Sequence, residues 1–76
     1  MTSEEIIKAI RLRSPVTAVV SSGGQLVTVK CDRITAYMLW IDHDGNLRKS
    51  VDVIESKTKT LIRTNADKVE LTGGFI

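Results

Sequence analysis

The chain has 76 residues, enough for one small domain, and a core of this size supplies only roughly 3–5 kcal/mol of net stability without further support. Its single cysteine and single histidine exclude an internal disulfide and a four-ligand zinc site, so oligomerisation is the support left open. Eleven basic and nine acidic side chains give a net charge of +2, too small to identify a nucleic-acid-binding protein by itself.

No targeting or membrane segment is evident. The first five residues are polar and acidic, unlike the basic start of a signal peptide. No apolar run approaches the ~20 residues that a membrane span needs. The lone thiol, Cys31, is expected in the core or the barrel wall of a protein kept in a reducing compartment. We therefore expect a soluble, cytoplasmic chain with no membrane partner.

The N-terminal residues predict one amphipathic helix over residues 3–13. Thr2 can cap this helix while Glu5, three positions later, reaches back to the cap. The residue before Pro15 disfavours the helical conformation, so the helix ends there. The apolar face that the helix would bury is made by Ile6, Ile7 and Ile10.

Two β-hairpins in succession are predicted after the helix, over residues 16–31 and 36–54. The first turns at Ser22-Gly23-Gly24, whose glycines permit the positive φ of a tight turn. The second turns at Asp44-Gly45-Asn46, which is a strong turn signal between apolar runs. Residues 32–35 are interpreted as the crossover between the hairpins, with a bulge or a sharp bend.

The end of the chain predicts an extra hairpin over residues 57–71 and a flexible tail over residues 72–76. Phe75 either docks on the surface or is loose. The order of one helix and then five to six short strands predicts a single, mainly β (α+β) domain. Its centre is an antiparallel SH3-like or Sm-like barrel over residues 15–56, with an open α+β sheet as the rival fold.

No residue pattern predicts catalysis. Asp42, Asp44 and Asn46 repeat three positions of a calcium loop, but Val53 stands where that loop needs a bidentate Glu, so the segment is interpreted as a hairpin turn. His43 has no serine or cysteine nucleophile tied to it. No general base, nucleophile and oxyanion donor converge. We expect no catalytic residue, metal or cofactor, and an enzyme is the least favoured class.

Residues 36–41 form the most apolar stretch and lack alternation. They are therefore buried on both faces, or they bury one face in an oligomer interface. Tyr37 and Trp40 lie three positions apart and face opposite sides of a strand. Three alternatives stay open for these rings: core packing, a base-stacking platform beside a basic residue, and an anchor in a protein interface.

Basic side chains cluster at three places in the sequence. Arg11 and Arg13 lie together, as do Arg48 and Lys49, and a third cluster spans residues 57–63. These clusters form either one patch in space or a solvated, salt-bridged surface.

Several short segments match a known pattern. Residues 9–16 are similar to the end of a short helix and the segment that leads into a first strand. Gly24 is similar to a glycine in the turn between the first two strands. Residues 48–51 are similar to a second sequence motif, which they match at Lys49. Over about residues 4–56 the chain thereby resembles the Sm-like family, the Hfq proteins in particular. These proteins open with a short helix and continue into a five-stranded, strongly bent barrel.

The resemblance implies a non-enzymatic, homo-oligomeric module that binds RNA or another single-stranded nucleic acid. Arg11 and Arg13 correspond to the rim arginines of the family, and Ala36-Tyr37 falls where Hfq has a Gln-Phe pair that contacts RNA bases. We expect phosphate contacts from the arginines and Lys49, and a base platform at Tyr37. The predicted nucleic-acid contacts are Arg11, Arg13, Tyr37, Arg48 and Lys49.

The second hypothesis is a protein-interaction module, such as a small adaptor or inhibitor carried by a phage or mobile element. The short, motif-free chain and a surface rich in aromatic side chains and edge strands favour it, because such a surface suits strand addition.

Overall fold

The computed structural model describes residues 1–72 and contains one α-helix, five β-strands and a 3₁₀ helix. In chain order these are α1 Ser3–Leu12, β1 Val16–Ser22, β2 Gln25–Ile41, β3 Leu47–Glu55, β4 Leu61–Asn65, the 3₁₀ helix Ala66–Lys68 and β5 Val69–Leu71. The strands form one open antiparallel sheet in the order β4-β3-β2-β1-β5. A mainly β chain with an N-terminal helix is therefore confirmed, with five strands. In the part described, no helix has the length and apolar character needed to cross a bilayer.

The helix begins where local sequence rules place it. The Glu5 backbone N–H donates to Thr2 Oγ1 at 3.2 Å and the Thr2 N–H donates to Glu5 Oε1 at 3.1 Å, so the predicted capping box is confirmed. The predicted apolar face is wrong at Ile7, which is half-exposed. Ile7 lies about 100° around the helix axis from the buried Ile6, and Ala9 takes its place in the core.

Both predicted hairpin turns are confirmed. Gly23 and Gly24 join β1 to β2 with φ of 57° and 81°, in the left-handed region that glycine adopts without a steric penalty. Residues 42–46 join β2 to β3, and Gly45 has φ of 84°. These turns set the register in which β2 pairs with both of its neighbours.

β2 is longer than predicted, because it is one 17-residue strand where two strands joined by residues 32–35 were expected. Its register against β3 shifts between Cys31 and Arg33 and again between Ile34 and Ala36. The bulge or bend expected in this segment therefore lies inside a continuous strand. Since bulges bend a strand, β2 can pair with β1 up to Cys31 and with β3 from Cys31 onward.

The extra hairpin predicted over residues 57–71 is wrong. β4 pairs with β3, whereas β5 crosses to the opposite edge of the sheet and pairs with β1 at Ala18↔Val69. The 3₁₀ helix between the two strands redirects the chain and buries Ala66. Burial of Ala66 and Val69 in the common core is favourable, and it decides this path over local pairing of β4 with β5.

The predicted boundaries at residues 15–56 and 72–76 also change. Because β4 and β5 supply the two edges of the same sheet, the sheet extends well beyond residue 56. The Thr72 backbone N–H donates to the Pro15 carbonyl at 3.3 Å, which ties the end of β5 to the start of β1. The rest of the predicted tail, residues 73–76 with Phe75, lies outside the described residues.

The core lies on one face of the sheet, which we call the inner face and which α1 and the 3₁₀ helix cover. Cys31 is a free, buried thiol there, as predicted, and burial raises its pKa, with smaller contributions from Glu55 and Asp32. The buried apolar side chains are those of Ile6, Ala9, Val16, Ala18, Cys31, Ile34, Val51, Val53, Ala66 and Val69.

Candidate functional site

β2, β3 and β4 also have a face that points away from the core. Cross-strand partners lie on the same side of a sheet. The pairs Trp40↔Arg48 and Met38↔Ser50 alternate with the pairs that carry the inner-face side chains. We call this second surface the outer face, and it is made by Arg33, Ala36, Met38, Trp40, Arg48, Ser50, Asp52, Ile54, Leu61, Arg63 and Asn65.

Trp40 is the aromatic side chain of the outer face, and it is 50% exposed. Its indole Nε1–H donates a hydrogen bond to Ser50 Oγ at 3.3 Å. Arg48 lies directly across from it on β3. The hydrogen bond restrains the ring, and the exposed half of its surface is available for stacking against a planar ligand.

Two arginines of the outer face are held by carboxylates that lie beneath them. Arg63 donates from Nε and Nη2 to the two carboxylate oxygens of Asp52 at 2.9 and 3.3 Å, and Arg48 donates from Nε to Asp42 Oδ2 at 2.7 Å. The Asp52 and Asp42 side chains are 10% and 8% exposed, against 63% for Arg63 and 49% for Arg48. The surface therefore presents the positive charges to solvent.

The same contacts hold these groups in their charged forms. The pKa of Asp42 is lowered mainly by the hydrogen bond from the Asn46 backbone N–H and next by the one from Arg48. The pKa of Arg63 is raised by its hydrogen bonds and charge interaction with Asp52. Charge-assisted hydrogen bonds of this kind are short and directional, so they fix where the guanidinium groups lie.

The turn between β2 and β3 is organised by Asp42. Its Oδ1 accepts hydrogen bonds from the backbone N–H groups of Asp44 and Asn46, both at 2.9 Å, and its Oδ2 binds Arg48. Both carboxylate oxygens are thus used by the hairpin, as the turn interpretation requires. Within residues 1–72 no three His, Cys, Asp or Glu side chains are grouped to hold a metal ion. His43 is exposed, with its Nε2 3.6 Å from the Asp44 carboxylate.

Tyr37, chosen from the sequence as a base platform, lies on the inner face. Its ring is partly buried against the core, and its hydroxyl shares a 2.8 Å hydrogen bond with Ser3 Oγ of α1. Tyr37 and Trp40 do face opposite sides of β2, and the structure leaves Trp40 exposed beside an arginine. Strand alternation separates the two rings, but only the position of α1 decides which ring is covered.

The five predicted contact residues do not come together in one chain. Arg48 and Lys49 are neighbours on β3 and therefore lie on opposite faces. Arg11 lies on the exposed side of α1, about 12 Å along the axis from the first turn, which is the turn that contacts Tyr37. Arg13 closes the C-terminus of α1 with φ of 52°. Trp40, Arg33 and Arg63 were not among the predicted contacts, although strand alternation groups Trp40 with Arg48.

Two interpretations were open for the basic cluster at residues 57–63, a basic patch or a salt-bridged surface. At Lys59 the structure shows a salt bridge. Lys59 Nζ donates to Asp32 Oδ2 at 2.6 Å, and Ser56 Oγ donates to Asp32 Oδ1 at 2.8 Å. These two hydrogen bonds lower the pKa of Asp32. Exposed ion pairs contribute only about 0–1 kcal/mol, so this cluster adds little to stability.

The inner face continues past the core as an exposed apolar surface at the end of β2 and the start of β3. The exposed fractions of Leu39, Ile41 and Leu47 are 56%, 65% and 57%. Ile41↔Leu47 is the last cross-strand pair before the turn, and Leu39↔Lys49 is the next pair on the same face. Burial of residues 36–41 on both faces is therefore not seen in the single chain. We call Leu39, Ile41 and Leu47 the apolar end.

No protein-family model matches the sequence, and no curated protein or solved structure is significantly similar to the chain. The outer face and the apolar end are therefore interpreted from their own contacts and charges.

Proposed function

We propose that this chain is a non-enzymatic binding module that holds single-stranded nucleic acid, with RNA favoured, on the outer face of β2, β3 and β4. The observation that carries the proposal is the half-exposed indole of Trp40 beside the outward-facing guanidinium of Arg48. Arg63 and Arg33 extend the positive charge along the same face.

The chemistry of single-stranded nucleic acids matches these groups. A base stacked on an aromatic side chain contributes about 1–3 kcal/mol, and it needs no particular base because every base has a flat π-surface. Arginine binds phosphate oxygens and also stacks on bases. We therefore assign the base-stacking role to Trp40, in place of the predicted Tyr37. The arginines supply the phosphate contacts.

We also propose that the sheet belongs to the SH3-like or Sm-like barrels and that the protein is a cytoplasmic homo-oligomer. An N-terminal helix, five strands and a bulged β2 that pairs with both neighbours support this fold. Thr64 Oγ1 donates to the Val19 carbonyl at 3.5 Å, a contact that brings β4 toward β1 and favours closure of the sheet. The buried free thiol of Cys31 suits a reducing compartment.

The test uses Trp40 as its own reporter, because it is the only tryptophan in the chain. Titration with short uridine-rich and adenosine-rich RNAs should quench its fluorescence, and labelled RNA should bind with an affinity that falls steeply as salt rises. Trp40→Leu should weaken binding by about 5- to 150-fold, the equivalent of one lost stacking contact. Tyr37→Phe, which keeps the inner-face ring, is the control and should bind normally.

A second pair of variants separates the phosphate contacts from the base contact. Arg48→Gln and Arg33→Gln should each lower the slope of log affinity against log salt by about 1. Lys57→Gln removes the same charge in the β3–β4 turn and should leave the slope unchanged. Absence of binding to any single-stranded RNA or DNA at low salt would overturn the proposal.

A protein partner is the second candidate function. Within residues 1–72, β4 and β5 form the two edges of the sheet, and an extended peptide can add to such an edge through its main chain. Recovery of one stoichiometric protein with the purified chain, together with a 260/280 nm absorbance ratio free of nucleic acid, would favour this candidate over RNA.

A further inference from the structure

We infer that the apolar end is a self-association surface on which a second copy of this chain packs about a two-fold axis. The Ile41↔Leu47 pair of each copy lies against the same pair of the other copy. This surface is on the inner side of the β2–β3 hairpin, opposite the proposed nucleic-acid surface. The inference rests on the homo-oligomer proposed above, and it is independent of nucleic-acid binding.

The apolar end begins where the cover of the inner face stops. Val51 is fully buried and Tyr37 is partly buried, whereas Leu39, one pair farther along, is more than half exposed, as are Ile41 and Leu47. The same row of side chains is thus core at one end and faces solvent at the other. Contiguous exposed apolar side chains of this kind mark interaction sites on soluble proteins.

The charges that flank the apolar end favour a second copy over an unrelated partner. Lys49 lies two residues from Leu47 on the inner side, about 7 Å at the rise of an antiparallel strand. Asp44 is exposed in the turn, which continues from the Ile41↔Leu47 pair in the direction opposite to Lys49. A two-fold axis through the last apolar pair brings Lys49 of each copy to Asp44 of the other. Because such an interface is isologous, the contact forms twice.

Asp44 is exposed and Lys49 is partly exposed. His43 Nε2 lies 3.6 Å from the Asp44 carboxylate. Lys49 makes no ion pair with any residue from 1 to 72. The apolar centre and its two flanking charges are therefore complementary to a rotated copy of themselves.

The expected interface is small. Two hairpin ends bury less than the ~800 Å² per partner of a standard interface. Small interfaces are typical of transient complexes, so we expect a dimer in equilibrium with the monomer. Both outer faces stay exposed in this arrangement.

Sedimentation equilibrium of the full chain over a wide range of concentrations tests the apolar contact. The wild type should shift from monomer to dimer, and Ile41→Lys and Leu47→Lys should each raise the dissociation constant at least tenfold. Leu61→Lys is the matched control, because Leu61 on β4 is a leucine with the same exposed fraction as Leu47, 57%, and this variant should dimerise normally. Circular dichroism confirms that each variant is folded.

A charge exchange then tests the two-fold geometry itself. Lys49→Glu alone and Asp44→Lys alone place like charges together twice in each homodimer, so each should stay monomeric where the wild type is dimeric. An equimolar mixture of the two variants restores opposite charges at both contacts and should form the mixed dimer. Lys57→Glu, on the β3–β4 turn, is the control for net charge and should behave as the wild type does.

Three results would overturn the inference: a wild type that is monomeric at every concentration, a mixture that fails to pair, or an assembly that Ile41→Lys and Leu47→Lys leave unchanged. Trp40→Leu should alter RNA affinity and leave dimerisation intact. Failure of nucleic-acid binding is therefore distinguishable from failure of this interface. An assembly that Ile41→Lys and Leu47→Lys leave unchanged would keep the homo-oligomer and reject only the apolar end as its interface.

Discussion

The two ends of the inner face of β2 and β3 carry similar aliphatic side chains and have opposite environments. At one end Ile34 and Val53 are paired across the strands and fully buried in the core. At the other end Ile41 and Leu47 are paired in the same way and are exposed. Strand pairing and side-chain type are alike, so the layer above the sheet, and not the strand pattern, decides which pair is core.

The two aromatic side chains of β2 also have opposite environments. Tyr37 lies under the helix and its hydroxyl is bonded to Ser3, whereas Trp40 lies on the opposite face and is bonded to Ser50 across the strands. A covered ring supports the fold, and an uncovered ring beside arginines is available to a ligand. This difference is why the proposed binding surface is the outer face.

The largest expected difference in stability is between truncations of an isoleucine at the two ends of the inner face. Ile34→Ala should destabilise the monomer by about 2–5 kcal/mol, because it leaves a cavity in the core. Ile41→Ala should change the stability by less than about 0.5 kcal/mol, as exposed substitutions do. Urea unfolding at low protein concentration measures both. Similar losses at the two positions would show that the apolar end is covered in the monomer.

A smaller effect tests the cover that α1 provides. Thr2→Ala removes the capping contact of the helix and should cost about 0.5–2 kcal/mol. Amide hydrogen exchange should then speed up in α1 and at the covered end of β2. Exchange near Ile41 and Leu47 should not change, and if it did, the two ends would be coupled rather than separate.

The turn at the uncovered end should respond to acid through Asp42. Its folded-state pKa is lowered by hydrogen bonds from Asn46 and Arg48, so its stabilising contribution is complete above the unfolded pKa of about 3.9 and is lost as pH falls through the lower folded value. Glu5 and Asp32 act with the same sign.

Asp42→Asn should therefore lower Tm at neutral pH, and its Tm should fall less than that of the wild type between pH ~5 and ~2. Thermal unfolding followed by circular dichroism across this range measures the difference. Parallel Tm curves for the two proteins would mean that the carboxylate does not stabilise the turn.

The smallest effect is expected at the exposed ion pair between Lys59 and Asp32. Lys59→Ala removes this contact and should leave the stability close to that of the wild type, because exposed ion pairs contribute little. RNA affinity measured at one fixed salt concentration should stay close to that of the wild type. A large loss of RNA binding in this variant would show that the nucleic-acid surface includes the β3–β4 turn.

Features set by neighbouring residues could be predicted from the sequence. The capping box of Thr2 and Glu5 and the turns at Gly23-Gly24 and Gly45 depend on a few adjacent positions, and they are observed. The crossing of β5 depends on burying Val69 against a strand some fifty residues earlier, and no local signal carries that information.

The candidate site could be predicted in part for the same reason. Alternation along β2 separates Tyr37 from Trp40, but the covered face depends on where α1 packs. The adjacent Arg48 and Lys49 form a cluster in the sequence and lie on opposite faces of a strand. Arg63 joins the outer face from β4 through its register with Asp52, which becomes visible only once the strands are aligned.

The most direct test of the nucleic-acid surface is a set of NMR spectra recorded while a short single-stranded RNA is added to the labelled chain. We expect the indole N–H signal of Trp40 to shift together with the amides of Arg48 and Arg63, while the amides of Tyr37 and of α1 stay in place. Shifts confined to α1 and Tyr37, or no shifts at low salt, would contradict the proposed surface.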